Sequence, residues 1–586
     1  MMQTRQDLNR HENKRLRFLV YFIVIVGLIF IGRLFDRQVL SRDEFTALAE
    51  KQYYTKIDQP AVRGNIYIRD QDNQNLIDET KAGLFPVAND IELFDLTVVP
   101  RNILDKNDAA IKIAPIIGEK KDDVFAKINV DKWYIPPLKK KISKDDADKI
   151  AALNLKGVFL EGQYSRFYPE KEFLSQVLGF VDYDGNGKYG IEGYYDGILK
   201  GEKGVLTGMK DNLGKVIKVD QSEPGKSGAD VVLTIDRSIQ YMIEKKLKEG
   251  MEKYDADGGT IIVMDPKTGA ILGMTSNPAY DPNKFNEISG DGQSIFLNPA
   301  TSMNWEPGSI FKPVITAAAI DANLLQPDSK PTTQEGGFSN QVTINGYTIH
   351  NALDKPYGFE TVTQILENSD NIGMVWVANK MGNDTMSQFI ARLGFGQKTG
   401  IDVPGESPGQ VNPAKTWRDI TRATISYGQG MSATPIQIVQ SYGAIANKGL
   451  MIKPHILDKE IYNGQETSFK ASKPVQVMTE DTAKKSTEMM VSVVVNGHGK
   501  NAGVAGYRVA GKTGTAQIPK AGGGYEEGAS IGSFAGFAPA DDPKFVMLVK
   551  LNRPKSVQWA ESSAAPVFGE IADWLLNSYM KVPKTQ

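Results

Sequence analysis

The chain of 586 residues contains no cysteine and only four histidines, and its formal net charge is −2. The absence of cysteine excludes disulfides, cysteine nucleophiles, thiolate metal sites and a lipid-anchored N-terminal cysteine. It also fits an oxidising compartment, where free thiols are a liability. A charge this close to zero does not indicate nucleic acid as a partner. The length predicts two to four domains with room for large cores.

Long apolar runs are also scarce, and the only prominent one lies near the N-terminus. From Phe18 to Gly32 no residue is charged, and Arg17 and Arg33 flank the run. The flanking arginines can snorkel, which extends the run to the length of a membrane span. No small-x-small cleavage site follows, so we predict an uncleaved transmembrane helix over 18–36 rather than a signal peptide. The basic flank predicts that residues 1–17 are cytoplasmic, that this single-pass helix lies in the cell (inner) membrane and that the rest is extracytoplasmic.

Residues 37–226 mix short strand and helix patterns, and they contain no catalytic constellation. We therefore predict a packing or docking domain here. Four residues match the start of an EF-hand calcium loop: Asp182, Asp184, Asn186 and Gly187. The loop position that should hold a bidentate glutamate is Gly193, so we predict a plain loop and no metal site.

After a linker at 223–228 the composition changes to alternating strand and helix patterns. Strands are predicted at 229–235, 259–265, 270–275, 532–537 and 545–551, and helices at 236–254 and 565–579. Since strands are predicted at both ends of this region, we expect them to share one sheet. The prediction is a mixed α/β domain over 227–580.

The first chemical motif is Ser-x-x-Lys at Ser309 and Lys312, followed by an apolar run at helical spacing. Pro313 is tolerated only in a first helical turn, so the helix is predicted to begin near Ser309. Residues three apart share a helix face, which directs the hydroxyl and the amine towards one point. A desolvated lysine can lose its charge and accept the serine proton. Taken alone, this tetrapeptide is also compatible with a helix cap and a surface lysine.

Two further polar motifs follow in the chain. Ser369 and Asn371 form a Ser-x-Asn pair, in which a hydroxyl can transfer a proton and an amide can hold a peptide carbonyl. The second is Lys-Thr-Gly-Thr at 512–515: Lys512 supplies positive charge, and Thr513 and Thr515 supply hydroxyl donors for a carboxylate. Gly514 is predicted to let a substrate backbone approach closely.

The last motif has a competing interpretation, because residues 506–513 match the phosphate-loop pattern G-x-x-x-x-G-K-[ST]. That loop must open a helix. Here Pro519 and the glycines at 522–524 follow, so a helix of useful length is excluded. We therefore reject nucleotide binding.

Ser-x-x-Lys, Ser-x-Asn and Lys-Thr-Gly in this order are close to the set found in penicillin-binding proteins and serine β-lactamases. The chain resembles class B, monofunctional penicillin-binding proteins, and more narrowly the division-type peptidoglycan transpeptidases and their sporulation relatives. Further matching stretches are Arg63-Gly64-Asn65-Ile66, Arg166-Phe167-Tyr168-Pro169, Gly190-Ile191-Glu192-Gly193 and Tyr427-Gly428-Gln429-Gly430. The resemblance implies a mostly β or α+β pedestal (dimerisation) domain over 37–226. It also implies a β-lactamase-like transpeptidase domain with a central antiparallel sheet over 227–580.

The resemblance also implies a mechanism. Ser309 would attack the penultimate D-Ala carbonyl of a stem peptide with Lys312 as general base, and the acyl-enzyme would pass to the amine of a neighbouring stem. Other implied roles are proton relay by Ser369 and Lys512, donor-peptide binding by Asn371, carboxylate binding by Thr513 and Thr515, and an oxyanion hole from the amides of Ser309 and Thr515. β-Lactams would acylate Ser309, and no metal or cofactor is implied. Implied partners are lipid-linked or nascent peptidoglycan, a membrane glycosyltransferase and other division proteins.

Three alternatives stay open at this point. A β-lactamase or a β-lactam-sensing receptor can share the fold, and a hydrolase would need a group that activates water, which no recognisable motif supplies. A non-catalytic division scaffold is disfavoured by the complete set of motifs. A Ser-His-Asp triad is disfavoured because no G-x-S-x-G elbow surrounds Ser309, and His350, His455 and His498 are predicted in loops as structural or surface residues.

Overall fold

The computed structural model of the chain describes residues 3–59, 61–70, 82–210, 216–520 and 522–584. Two compact units are distinguished. The first consists of Met1–Ala61 and Glu202–Lys226, and the second of Val62–Gly201 and Ser227–Gln586. All the predicted site residues belong to the second unit.

The first unit begins with a long helix, α1 (Gln3–Phe35), which continues as a π-helical segment, Asp36–Leu40. Helix α2 (Arg42–Tyr53) and strand β1 (Tyr54–Gln59) follow. Within α1 and its extension, Lys14–Leu40 contains an 18-residue window with a mean hydropathy of 2.6 and is long enough to cross a membrane. This agrees with the predicted transmembrane helix and extends it at both ends.

The second unit begins with the region predicted as the pedestal. Its elements are β2 (Ile66–Arg69), β3 (Leu84–Val98), α3 (Lys106–Ile117), α4 (Lys121–Ile128), β4 (Lys139–Ile142), α5 (Lys144–Ala152), β5 (Val158–Phe167), α6 (Ser175–Leu178), β6 (Phe180–Val181), β7 (Gly187–Lys188), α7 (Gly190–Tyr194) and α8 (Asp196–Leu199). Helices α3, α4 and α5 bury Ile113, Val124 and Ile150 in one small core, which explains their apolar spacing.

The calcium-like sequence forms the turn between β6 and β7. The Asp182 carboxylate accepts hydrogen bonds from the backbone amides of Asp184 (3.0 Å) and Asn186 (2.9 Å). These bonds make an Asx-type turn, so the acidic side chain is used by its own loop. Among the described residues no cluster of metal-ligating side chains is present.

Strands β8 (Gly204–Lys210) and β9 (Val216–Glu223) return to the first unit. Together with β1 they form a three-stranded antiparallel sheet in the order β1-β8-β9.

The remaining elements of the second unit are β10 (Asp230–Asp236), α9 (Arg237–Tyr254), β11 (Gly258–Met264), β12 (Ile271–Asn277), α10 (Pro299–Ser302), α11 (Lys312–Asp321), β13 (Gln341–Ile344), β14 (Tyr347–His350), α12 (Val362–Glu367), α13 (Asn371–Arg392), α14 (Asp419–Ser426), α15 (Pro435–Ala446), β15 (Leu450–Met451), β16 (Leu457–Tyr462), β17 (Gln465–Ser468), β18 (Val475–Gln476), α16 (Glu480–Val495), β19 (Ala510–Pro519), β20 (Tyr525–Ala538), β21 (Phe545–Asn552) and α17 (Ala564–Asp573). Most predicted elements lie within two residues of these bounds. The exceptions are β20, which begins well before the predicted strand at 532–537, and the closing helix, whose last part is a π-helical segment, Trp574–Tyr579.

The central sheet is antiparallel, five-stranded and ordered β12-β11-β21-β20-β19, which confirms that strands from both ends of the domain share it. Its strands alternate between two cores, as a pleated sheet requires. Ile261 and Val263 of β11 face α9 and α17, whereas Ile262 packs in the larger core with α11 and α15. Strand β19 forms one edge of the sheet, which leaves its outer side free for other elements and for ligands.

A second sheet connects the two sequence regions of this unit. It has seven strands, in the order β17-β16-β10-β2-β3-β4 with β5 also paired to β3. Strand β10 lies just after the predicted domain boundary at 226–227, yet it pairs in parallel with β2 of the preceding region and antiparallel with β16. Hydrogen bonding therefore crosses the predicted boundary. The pattern of apolar residues along β10 does not indicate that β2 is its neighbour in the sheet.

Candidate active site

Ser309 lies in a short 3₁₀ turn, Gly308–Phe311, that leads directly into α11. The Lys312 amide donates to the carbonyl of Ser309. In an α-helix the residue at 313 would donate to that carbonyl, but proline has no N–H. The chain therefore tightens into a 3₁₀ turn, and α11 begins at Lys312 rather than near Ser309 as predicted.

The turn that carries Ser309 is held by three backbone contacts. Gly308 has a φ of 59° and donates its amide to the Gly428 carbonyl at 2.9 Å. A Cβ on Gly428 would lie 2.2 Å from the Gly308 oxygen, so only glycine fits there. The buried Tyr442 hydroxyl donates to the Ile310 carbonyl at 2.6 Å. These contacts fix the turn before any substrate arrives.

Gly514 of β19 has a packing role that was not predicted from the sequence. A Cβ at this position would lie 2.9 Å from Ile310 Cγ2 and 2.9 Å from Ser533 Oγ. Because Gly514 has no side chain, β19 can pack closely against the turn that carries Ser309. This packing alone is sufficient to require glycine at position 514.

Lys312 is fully buried, and its amine is surrounded by oxygen atoms of the Ser-x-Asn segment. Lys312 Nζ lies 2.6 Å from the Ser369 carbonyl, 3.2 Å from Ser369 Oγ and 2.8 Å from Asn371 Oδ1. No carboxylate forms an ion pair with it among the described residues. Burial and, secondly, the nearby charge of Lys512 lower the Lys312 pKa well below its ordinary value.

Lys512 approaches the same serine from the opposite side. Its amine lies 3.1 Å from Ser369 Oγ, and it also donates to the carbonyl (3.1 Å) and the hydroxyl (3.3 Å) of Thr513. Burial lowers the Lys512 pKa to about 7. Ser369 Oγ therefore lies between two buried amines whose pKa values are both lowered by burial.

The Ser-x-Asn segment is held in an unusual backbone conformation. Ser369 has a φ of 54°, and Asp370 caps α13 by accepting from the Ile372 amide at 2.7 Å. Burial raises the Asp370 pKa. Asn371 Nδ2 donates to the His350 carbonyl at 2.9 Å, so both ends of the Asn371 amide are already engaged.

The two threonines of the last motif lie on β19, next to the free edge of the sheet. Thr513 is buried, while Thr515 is partly exposed and accepts from the Ala560 amide at 3.1 Å. Since β19 is a strand, residues 506–513 do not open a helix, which rules out the phosphate-loop interpretation.

Some of these residues line a cavity of about 870 Å³, which we call the active-site cavity. Its lining includes Ser309, Asn371, Thr515, Tyr347, Tyr427 and Trp559. The Ser309 hydroxyl makes no hydrogen bond with any described side chain, and it is partly exposed to this space. The cavity is large enough for a short peptide.

Four of the predicted residues, Lys312, Ser369, Asn371 and Lys512, are thus joined by direct hydrogen bonds, and Ser309 and Thr515 line the same cavity. The sequence analysis missed Asp370, Tyr442 and the His350 carbonyl. The helix-capping pattern of Asp370 was available as a signal, but the other two depend on contacts between distant segments.

The histidines do not form a triad with Ser309. His350 ends strand β14, and His455 makes an isolated bridge to Ala270, so neither lies in a loop as predicted. His498 pairs with Glu561 at 2.6 Å. Of the histidines whose side chains the structure describes, only His350 lines the active-site cavity.

Comparisons with known proteins agree with this geometry. Residues 259–573 match the model of the penicillin binding protein transpeptidase domain, and residues 58–233 match that of the penicillin-binding protein dimerisation domain. Stage V sporulation protein D of Bacillus subtilis is 35% identical over 95% of this chain and 84% of its own length. Peptidoglycan D,D-transpeptidase FtsI of Escherichia coli K12 is 29% identical over 84% of this chain and 82% of its own.

Solved structures of penicillin-binding proteins are also similar to this chain. Penicillin binding protein 3 of Mycobacterium tuberculosis, complexed with aztreonam, has a TM-score of 0.68 and 27% identity, and the match covers 90% of this chain and 98% of that one. The transpeptidase model alone accounts for more than half of the residues here. The chain therefore belongs to the penicillin-binding proteins that combine a dimerisation domain with a transpeptidase domain.

Proposed function

We propose that the chain is a peptidoglycan D,D-transpeptidase in which Ser309 is the nucleophile. The observation that carries the proposal is the arrangement of Lys312, Ser369 and Lys512 beside the cavity that Ser309 lines, with both amines fully buried. Membership of the family supports the same reaction. We also propose that the reaction is used in septal wall synthesis, because the motifs resemble those of division-type transpeptidases and one relative is a sporulation protein.

In the first step the Ser309 hydroxyl attacks the carbonyl carbon of the penultimate D-Ala residue of a stem peptide. The serine proton passes to Lys312, which must be neutral to accept it. The lowered pKa of Lys312, caused by burial, favours that neutral state. As a neutral amine, Lys312 can donate to the Ser369 carbonyl and to Asn371 Oδ1, which leaves its lone pair for the incoming proton.

The tetrahedral intermediate then loses the terminal D-Ala. Its carbon–nitrogen bond breaks, and the departing amine receives a proton through Ser369, whose hydroxyl contacts both lysines. We assign the oxyanion hole to the backbone amides of Ser309 and Thr515, where each donor typically contributes about 3 kcal/mol. Thr513 and Thr515 would bind the terminal carboxylate, with Lys512 as the nearby positive charge.

In the second step the amine of a neighbouring stem attacks the ester carbonyl. An amide bond forms, the bond to Ser309 Oγ breaks and the serine recovers its proton. This is a crosslink rather than a hydrolysis, because an amine takes the place that water would take in a β-lactamase. β-Lactams would acylate Ser309 in the same way as the D-Ala-D-Ala end.

The helix over Lys14–Leu40 supports a membrane-anchored enzyme. The basic residues before it favour a cytoplasmic N-terminus and a catalytic unit outside the cell (inner) membrane. A membrane glycosyltransferase would supply the glycan whose stems are joined. This partner follows from the chemistry of the substrate.

The decisive experiment incubates the purified full-length protein with lipid-linked peptidoglycan precursor and a separate glycan polymerase, and then analyses the muropeptides by mass spectrometry. We expect crosslinked dimers and free D-Ala. Free D-Ala accompanied only by shortened monomers would instead indicate a carboxypeptidase, and no release of D-Ala would contradict the proposal.

The nucleophile is tested in parallel with fluorescent penicillin. Ser309→Ala should show no covalent label, and Ser309→Cys is a control for an intact fold because it retains a nucleophilic atom. A half-buried serine elsewhere in the unit, Ser302, provides the matched control, and Ser302→Ala should label like the unmodified protein. Covalent labelling of Ser309→Ala would overturn the assignment.

A further inference from the structure

A second cavity of about 660 Å³ lies beside the segment that leads to Ser309. Its lining includes Trp305, Glu306, Met431, Ile531, Lys550 and Asn552. Ser309 and the other predicted catalytic residues do not line it. The mechanism proposed above makes no use of this space.

The floor of this cavity carries a buried positive charge. Lys550 projects from the middle of the central sheet, where β21 pairs with both β11 and β20, and it is 2% exposed. Its ammonium has three N–H donors but a single hydrogen bond within the described residues, to Asn552 Oδ1 at 2.5 Å. No carboxylate in the part of the chain that the structure describes forms an ion pair with it.

An uncompensated buried ammonium is energetically unfavourable unless a partner satisfies it. Burial alone lowers the Lys550 pKa to about 8, so the amine still carries its proton at neutral pH for most of the time. The ring of Trp305 lies 5.4 Å from Lys550 Nζ, which is a favourable cation–π contact but supplies no acceptor for the free N–H groups.

Trp305 contributes a second unused donor. Its indole Nε1 is buried and has no hydrogen-bond acceptor among the described residues, although the residue itself is only 5% exposed. Buried indole N–H groups usually find a partner. Two donors, one of them charged, therefore border the same cavity without their acceptors.

Glu306, the acidic group on the wall, is already satisfied. The Glu306 carboxylate accepts from the Gly430 amide at 2.8 Å and from the Tyr525 hydroxyl at 3.0 Å, one bond to each oxygen. Burial raises the Glu306 pKa. Arg553 also lines the cavity, but its Nη2 already donates to both oxygens of Glu526, at 2.7 and 2.8 Å. Met303, Met431, Ile518 and Ile531 supply apolar wall, and the uncharged polar residues Asn304, Gln410 and Ser432 also line it.

We propose that this cavity is a second ligand site, which binds the carboxylate of a small molecule or peptide terminus through Lys550 and the Trp305 indole while an apolar stem fills the rest. A carboxylate fits better than a phosphate dianion, because Lys550 can neutralise only one negative charge and Arg553 is already paired with Glu526. A neutral ligand would leave the charge of Lys550 uncompensated. Two sources share this chemistry, a free carboxylic acid and the C-terminus of a peptide.

The test uses the full-length protein in detergent and isothermal titration calorimetry. The free-acid probe is 4-phenylbutyrate and its neutral match is 4-phenylbutyramide, while acetyl-Ala-Phe and its C-terminal amide represent the peptide source. We expect each acid that binds to have a Kd at least tenfold lower than that of its amide. Binding of both acids would indicate general carboxylate recognition, and binding of the peptide acid alone would identify a peptide terminus.

Variants assign the site. Lys550→Met keeps the length of the side chain and should abolish the preference for acids, whereas Trp305→Phe should weaken acid binding several-fold. Lys484→Met removes an exposed lysine and should leave the Kd unchanged. Each titration is repeated after treatment with benzylpenicillin, which should not change the Kd because the active-site cavity is a different space.

Three results would overturn the proposal: equal affinity for acids and amides, no binding of either acid, or an acid preference that survives in Lys550→Met. Loss of acid binding after benzylpenicillin would place the ligand in the active-site cavity instead. If Lys550→Met fails to fold, the comparison of acids with amides and the Trp305→Phe variant still decide the question.

Discussion

Two groups of buried charges lie in the same compact unit, and they are treated in opposite ways. In the pedestal region, Arg63 and Arg166 contact the two oxygens of the fully buried Glu192, at 2.8 and 2.6 Å. Asp196 forms a further ion pair with Arg63 at 2.7 Å, and Asp90 forms one with Arg166 at 3.2 Å. Every guanidinium in this group therefore has a carboxylate partner.

In the candidate active site, Lys312 and Lys512 are equally buried, but their direct contacts are carbonyl, hydroxyl and amide oxygens. The pKa of both amines is lowered by burial. The difference teaches that buried charge paired with carboxylates stabilises the fold, whereas buried amines without them are available for proton transfer. The predictions below change one side of this comparison at a time.

The largest effect is expected for Lys312→Met. This variant removes the proton acceptor but keeps a side chain of similar length in a fully buried position. Acylation by fluorescent penicillin should fall by about a thousandfold or more, as expected when an activated nucleophile loses its base. Thermal unfolding should occur at the same or a higher temperature, because a buried amine whose protonation is disfavoured by burial is replaced by an apolar side chain. Acylation within tenfold of the unmodified rate would show that Lys312 is not the base.

The next effect concerns stability rather than activity. Glu192→Gln leaves Arg63 and Arg166 buried without their shared charge partner, so we expect a loss of about 3–5 kcal/mol in the free energy of unfolding. Urea denaturation measures it. Glu488→Gln is the matched control, because Glu488 pairs with Arg508 at 2.6 Å on the surface and exposed pairs contribute little. Similar losses in both variants would contradict the comparison.

A smaller change is expected for Gly514→Ala. The added methyl group would lie 2.9 Å from Ile310 Cγ2, which should push the Ser309 turn away from β19. Overpacking of this kind typically costs about 1–3 kcal/mol, and acylation should slow by about tenfold or more. The control is Gly197→Ala in α8, where a Cβ meets nothing within 4 Å and acylation should not change. Equal rates for both variants would exclude close packing as the reason for the glycine.

The smallest expected effect is a change in the pH dependence of acylation. Lys312 must be neutral and Lys512 charged, so the rate should rise with pH through the pKa of the first and fall through that of the second. Since the Lys512 pKa is about 7, the rate should fall several-fold between about pH 6.5 and about pH 7.5. Arginine keeps its charge throughout this range, so Lys512→Arg should remove the falling limb whatever its maximal rate. A falling limb that persists in this variant would assign it to another group.

Much of this site could be predicted because its chemistry is encoded at short range. A serine and a lysine three residues apart, a serine and an asparagine two apart, and a Lys-Thr-Gly-Thr run each define a local geometry. The strands of the central sheet were also predictable, since β11 and β21 contain apolar runs and β12 follows β11 after a short turn.

The parts that were not predicted depend on contacts between distant segments. No local sequence pattern indicates three of these contacts. They are the pairing of β10 with β2, the hydrogen bond from Gly308 to Gly428 and the hydrogen bond from Tyr442 to Ile310. The 3₁₀ turn at Ser309 was within reach, because Pro313 has no amide hydrogen for the Ser309 carbonyl. Gly514 was assigned to substrate approach because a single sequence does not identify Ile310 as its neighbour.

The central claim is that Lys312 is a neutral amine in the folded protein, and its titration can be measured directly. The full-length protein is labelled with lysine carrying ¹³C at the ε carbon, and NMR spectra are recorded across pH, with the Lys312 signal assigned by its absence in Lys312→Met. The account predicts that this signal titrates well below the ordinary lysine value near 10.4, while most exposed lysines titrate close to it. A Lys312 signal that titrates together with the exposed lysines would contradict the account.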